Sequence, residues 1–132
     1  MLLVKTKVAP SAIEGFGVFA DENIPKGTVT WRYNPKLDLT LAAEEVEALP
    51  EPARSYFLHF GYFALDTKKY ILPFDNDRFS NHSKTPNTVV SQTIEDFGEF
   101  AMVALRDIKK GEEITVDYNL IDSDTAKKGI TD

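Results

Sequence analysis

No stretch of this sequence sustains one pattern for long, and that limits the fold more than any other feature. Short runs rich in β-branched and aromatic residues, such as Thr28-Val29-Thr30-Trp31-Arg32-Tyr33 and Thr88 to Ile94, alternate with corners built from Gly, Pro, Asn and Asp. Runs of that kind read as strands and such corners as turns. A parallel sheet needs crossover helices between its strands, and no βαβ rhythm is present. An irregular, mostly β domain with one short helical insert follows. Its 132 residues make a single domain.

Taken in order, Leu2 to Val8 alternates loosely and ends at Pro10, as a strand would. Gly17 to Ala20 reads as a second strand behind a glycine loop. Gly15 to Ala20 also fits the relaxed dinucleotide pattern G-x-G-x-x-A. That pattern needs a buried strand before it and a helix opening within it, whereas polar residues precede it here and Pro25 and Gly27 follow. Asn23 to Gly27 is a turn, and Asp107 to Gly111 echoes it; two similar hairpin corners suit similar residues. From Leu37 to Phe60 the pattern is helical. Thr40 is the expected N-cap, Glu44, Glu45 and Glu47 the solvated face, and Leu41, Val46 and Leu49 the inner one. Pro50 and Pro52 interrupt, and Ala53 to Phe60 forms a second short helix carrying His59, expected as a packed core or boundary histidine. Hairpins are expected from Tyr62–Leu65 with Tyr70–Leu72, and from Thr88–Ile94 with Glu99–Leu105. Residues 121–132 form a polar tail behind a domain of residues 1–120.

With no cysteine, the chain has no disulfide framework and no thiolate zinc site. A metal would need His, Asp and Glu alone, and the two histidines lie far apart in sequence, so no metal is expected. The residues before Pro10 are too short and too interrupted by lysine for a signal peptide. No apolar run approaches the roughly 18 residues of a spanning helix, and a soluble intracellular protein is expected. The net charge of −6 argues against unaided nucleic-acid binding, which rests on neutralising phosphates, and suits a basic polypeptide partner.

Chemistry concentrates in Arg78-Phe79-Ser80-Asn81-His82-Ser83-Lys84-Thr85-Pro86-Asn87. Amides and hydroxyls there surround one of the two histidines, between an apolar run (Tyr70 to Phe74) and a strand. Alone, it reads equally as a polar turn satisfying its own backbone. Two further segments change its meaning: Glu14-Gly15-Phe16-Gly17 before it, and Gly111-Glu112-Glu113-Ile114-Thr115-Val116-Asp117-Tyr118 after it. In this order and spacing the three resemble the SET domain of protein lysine methyltransferases, from about Val8 to Asn119.

The resemblance implies a fold of small β-sheets around a knot-like arrangement, in which the Asn81-His82 segment passes beneath the loop near Tyr118. It implies S-adenosylmethionine as cofactor and a lysine of a basic protein, such as a histone or histone-like tail, as acceptor. Carried over by position, Phe16 and Gly17 would offer backbone groups to the cofactor, Asn81 would bind its amino-acid end, and His82 would hold the adenine side. Tyr118 would be the catalytic tyrosine at the methyl-transfer point. Tyr33 falls where some relatives place a channel tyrosine, or is ordinary strand packing. Val116 stands where some relatives carry an aromatic that limits the number of methyl groups. Asp117 reads as a structural carboxylate pairing with a loop group or Arg78; Glu112 and Glu113 read as decoration of a solvated turn or, near a channel mouth, as acidic groups that favour a basic substrate.

Lys84 replaces a cysteine common in such domains, and no zinc-binding cysteines follow. No aromatic residue follows Tyr118 to cover the adenine. Leu120 and Ile121, or a second subunit in a homodimer, could do so. Two rival functions remain: a non-catalytic SET fold that binds cofactor or basic peptide, and transfer to a small amine.

Overall fold

The computed structural model describes residues 1–64, 67–94 and 100–120. The strands are β1 (Thr6–Pro10), β2 (Phe16–Ala20), β3 (Val29–Trp31), β4 (Leu39–Leu41), β5 (Tyr62–Phe63), β6 (Tyr70–Leu72), β7 (Asn81–His82), β8 (Thr88–Ile94), β9 (Phe100–Ala104) and β10 (Thr115–Val116). Two helices, α1 (Ala43–Glu47) and α2 (Ala53–Phe60), lie between β4 and β5. The strands form four small sheets: β1 with β2, β3-β9-β8, β4-β6-β5, and the parallel pair β7 with β10. Mostly β with a short helical insert is therefore the fold. Its corners, not its strands, carry much of the connectivity.

The two echoing corners turn out to face each other. Ile24 N–H donates to the Ile108 carbonyl at 2.7 Å, and Ile108 N–H returns the bond at 2.8 Å. Asp107 Oδ1 accepts from Lys26 N, and Asn23 Oδ1 accepts from Lys110 N. Each corner's Asx side chain thus closes the other corner. Gly27 and Gly111, at φ of 87° and 96°, make the two left-handed bends that only glycine adopts without strain. Ile24 and Ile108 are buried with Val18, Ala20, Ala104 and Ile114 in one core cluster. Burying two isoleucines fully stabilises the fold by about 2–3 kcal/mol each.

The helical insert is shorter than its pattern suggests. Leu39-Thr40-Leu41 is a strand, paired antiparallel to β6, so Thr40 is not an N-cap; its hydroxyl meets Tyr33 Oη at 2.6 Å. The N-cap lies two residues later at Ala42, whose N–H donates to Glu45 Oε1. Val46 is fully buried with Phe57, Tyr70 and Leu72, and Leu41 and Leu49 pack beside them, so the inner face is as expected. The helix from Ala53 to Phe60 is also as expected. It ends at Gly61, where a Cβ would lie 2.7 Å from the Phe57 carbonyl and 2.9 Å from that of Ile71. The first strand begins at Thr6, while Leu2 bridges to Trp31. The turn at residues 95–98, Leu65 and the tail from residue 121 onward lie outside the described residues. Among the described residues no helix is long and apolar enough to cross a membrane.

Candidate functional site

Asn87 begins the assembly of the site. Its buried amide donates to the Glu113 carbonyl at 2.7 Å and accepts from Thr115 N at 2.9 Å. Thr88 Oγ1 adds a bond to the Thr115 carbonyl. The segment carrying Glu113 and Tyr118 is thereby clamped alongside Asn81 and His82, with Thr115 opposite Asn81 and Val116 opposite His82.

A cavity of about 340 Å³ lies where the segments meet. One wall is Ile13 to Phe16, a second is Arg78 to His82 with Tyr118, and His59 and Phe60 close a third. Phe60 stands edge-on to both His59 and Phe79, with ring centroids 4.6 and 5.5 Å away. Phe16 leaves 60% of its surface exposed. An exposed aromatic beside a cavity can cover a flat ligand.

Tyr118 is fixed at two points. Its hydroxyl donates a short hydrogen bond to the Ser80 carbonyl, and its backbone N–H donates to His82 Nδ1 at 3.0 Å. His82 Nδ1 is therefore an acceptor, which puts the imidazole proton on Nε2. Asp117 Oδ1 lies 3.7 Å from the same Nδ1, but the shorter bond from Tyr118 decides the tautomer. Asp117 instead accepts from Asn119 N at 3.0 Å. It is a loop-closing carboxylate, as one of the two sequence readings has it. Arg78 pairs with no carboxylate among the described residues. It donates to the Pro73 carbonyl and Tyr56 Oη, with its guanidinium 5.8 Å over the Tyr56 ring.

Asn81 and Glu113 form the site's polar corner. Asn81 Nδ2 donates to Glu113 Oε2 at 2.8 Å and approaches the Phe16 and Glu14 carbonyls at 3.1 and 3.2 Å. Ser11 Oγ donates to both oxygens of the same Glu113 carboxylate, at 2.7 and 3.0 Å. Glu113 is thus half-buried and bound, not turn decoration. Glu112, also half-buried, turns instead to Arg106 at 3.1 Å. Sequence reasoning missed Glu113 because adjacent glutamates after a glycine look like any solvated turn.

Of the two places expected for His59, core or boundary, the core is not where it lies: it is exposed on the cavity wall, against Phe60. Tyr33 and Val116 do not line the cavity. Val116 is buried with Trp31 and Met102, and Tyr33, Tyr62 and Tyr118 pack against that cluster. Among the described residues, Tyr118 alone belongs to both the cavity and the cluster.

Behind the cavity wall, Asp77 accepts from Ser80 Oγ at 3.1 Å. Burial first, and the neighbouring Asp75 charge second, push its carboxyl up to about 7.

The SET domain family profile matches residues 15–119. A Saccharomyces cerevisiae histone-lysine N-methyltransferase, H3 lysine-36 specific, is 32% identical over 125 residues, covering 88% of this chain and 17% of that protein. A Chaetomium globosum histone-lysine N-methyltransferase, H3 lysine-4 specific, is 34% identical over 122 residues, covering 85% of this chain and 11% of that protein. The chain therefore spans under a fifth of the length of these relatives. The fold matches a crystal structure of a proposed Plasmodium falciparum histone methyltransferase at TM-score 0.61 and 22% identity, covering 89% of this chain and 95% of that one. It also matches a chain of a humanized mutant of the Chaetomium thermophilum Polycomb Repressive Complex 2, bound to the inhibitor GSK126, at TM-score 0.65 and 21% identity, covering 93% and 16%. With the family profile spanning Gly15, Asn81-His82 and Tyr118 together, the chain belongs to the SET-domain family.

Proposed function

We propose that this domain is a protein-lysine N-methyltransferase that uses S-adenosylmethionine and acts on a basic protein such as a histone or histone-like tail. The observation that carries the reading is the meeting of the three motif segments around one cavity, with Tyr118 reaching from it into the apolar cluster. The relatives' printed activities point the same way, and the acidic chain suits a basic partner.

The residues present fit the cofactor. Asn81 Oδ1 accepts from no described protein group, so an acceptor remains for its amino-acid end. Phe16 and Gly17 would offer backbone groups, and His82 would hold the adenine side. When bound, S-adenosylmethionine supplies an electrophilic methyl group on a sulfonium.

The chain's own task is alignment and desolvation. A lysine with a free pKa of about 10.4 is almost wholly protonated at neutral pH. The apolar cluster of Trp31, Met102 and Val116 beside Tyr118 disfavours a charge there and lowers that value. Tyr33 and Val116 are the channel residues of this reading. The Tyr118 hydroxyl proton is already donated to the Ser80 carbonyl. Its oxygen is left as an acceptor that orients the amine. His82 Nδ1 is engaged by Tyr118 N–H, so that atom serves as a strut and not as a base.

The test is incubation with labelled S-adenosylmethionine and a panel of basic proteins, histones included. Labelled lysine is expected, falling on the order of 10²-fold in Tyr118→Phe, as when one oriented active-site group is removed. Cofactor binding without labelled product would make the domain a binding module. An undiminished rate in the variant would remove Tyr118 from catalysis.

A further inference from the structure

The Asn81 amide is in an unusual position for a ligand-binding group, because its nitrogen is fully taken up by the protein. Three oxygens surround Nδ2: one from the Glu113 carboxylate and the two carbonyls of Glu14 and Phe16. The opposite amide orientation would set Oδ1 against three acceptors, so the orientation is chemically forced. Glu113 sits at 2.8 Å, nearer than either carbonyl, and carries the charge that strengthens such a bond.

Glu113 is itself held from two sides. Ser11 Oγ donates to both its oxygens across 102 residues of sequence. On the other side it presses on Gly17: a Cβ there would run into Oε2, would lie 2.8 Å from Cδ and 3.2 Å from Asn81 Nδ2. Among the described residues no cation pairs with this carboxylate.

We propose that Glu113 is a positioning residue for the methyl donor. Braced by Ser11 and Gly17, its carboxylate locks Asn81 with Oδ1 as the one amide atom open to a ligand. That makes the site read an ammonium donor at the ligand's amino-acid end and reject an acceptor in its place. The half-buried charge, lacking a protein counter-ion, complements the same ammonium. The inference rests on the proposed cofactor and adds to it the residue that sets its orientation.

Two probes separate this role from simple structural support. S-adenosylhomocysteine carries the ammonium; its desamino analogue has hydrogen in that place and is otherwise identical. In calorimetric titrations, Glu113→Ala is expected to lose about tenfold in affinity for the first and little for the second. Glu113→Gln, whose carbonyl can still accept from Asn81 but which lacks the charge, should fall between the wild type and Glu113→Ala. Without any ligand, the Asn81 side-chain amide protons should exchange slowly in the wild type and fast in Glu113→Ala. Equal losses for both probes, or no loss for either, would overturn the role while leaving the proposed cofactor standing. Failure of the wild type to bind S-adenosylhomocysteine would overturn the cofactor reading and this inference with it.

Discussion

Two regions of the molecule use the same residue types to opposite ends. At the paired corners, Asn23 and Asp107 each take a backbone N–H from the other corner, and Ile24 and Ile108 exchange main-chain bonds in a buried apolar core. The polar atoms named there are matched within the chain. At the cavity, Asn81 is matched on one side only: Glu113 and two carbonyls take up its amide nitrogen, and among the described residues no protein donor reaches its amide oxygen. Glycine shows the same contrast. Gly27 and Gly111 are needed for backbone conformation and have open space where a Cβ would be. Gly17 is needed for space alone, because a carboxylate occupies it. One region uses its polar groups for the fold; in the proposed reading the other leaves an acceptor for a ligand.

If that contrast holds, the regions can be damaged separately. The largest expected stability effect is at the corners. Ile108→Ala removes a side chain that is 1% exposed and should cost about 3 kcal/mol in denaturant unfolding. Affinity for S-adenosylhomocysteine, measured on the folded fraction, should not change.

Next comes a cost confined to the cavity side. Asp77 has a folded-state value of about 7 against an ordinary 3.8. Between those values the folded state keeps a proton that the unfolded state has lost. Stability therefore falls as pH rises across this window, and the loss is complete above about 7. Asp77→Asn should flatten that slope, gaining about 2 kcal/mol relative to wild type between pH 5 and pH 8. Parallel slopes in urea titrations at the two pH values would show that Asp77 is not the group responsible.

The smallest change in free energy is at Gly17. Gly17→Ala forces the end of the Glu113 side chain to move and so releases Asn81. About tenfold weaker binding of S-adenosylhomocysteine is expected, equivalent to ~1.4 kcal/mol, with the unfolding midpoint nearly unchanged. A large drop in that midpoint with intact binding would mean that the two regions are not distinct.

The sequence was most readable where a short segment carries its own pattern. The hairpin of Tyr62 and Phe63 with Tyr70 to Leu72, the helix from Ala53 to Phe60 and the strand behind the glycine loop follow from local periodicity. So does the mostly β class. The three-residue strand at Leu39–Leu41 was hidden because its pairing with β6 lies beyond any local window. The echo of Asn23–Gly27 in Asp107–Gly111 was visible, but likeness alone does not say that two corners pair with each other. At the site, Phe16, Asn81, His82 and Tyr118 could be named only through the resemblance to the SET domain, and the structure brings them to one cavity. Glu113 could not, since its importance comes from Ser11 and Gly17, both distant in the chain. His59 could be placed only as core or boundary, because a short aromatic helix offers two faces and the sequence does not say which one meets the core.

If the cavity between Phe16, Asn81 and Tyr118 holds the methyl donor, a crystal structure with S-adenosylhomocysteine will show it there. The ligand's ammonium is expected within hydrogen-bond distance of Asn81 Oδ1, its sulfur towards Tyr118 and its adenine beside His82. A ligand bound elsewhere, or one that turns its carboxylate to Asn81 Oδ1, would contradict this placement.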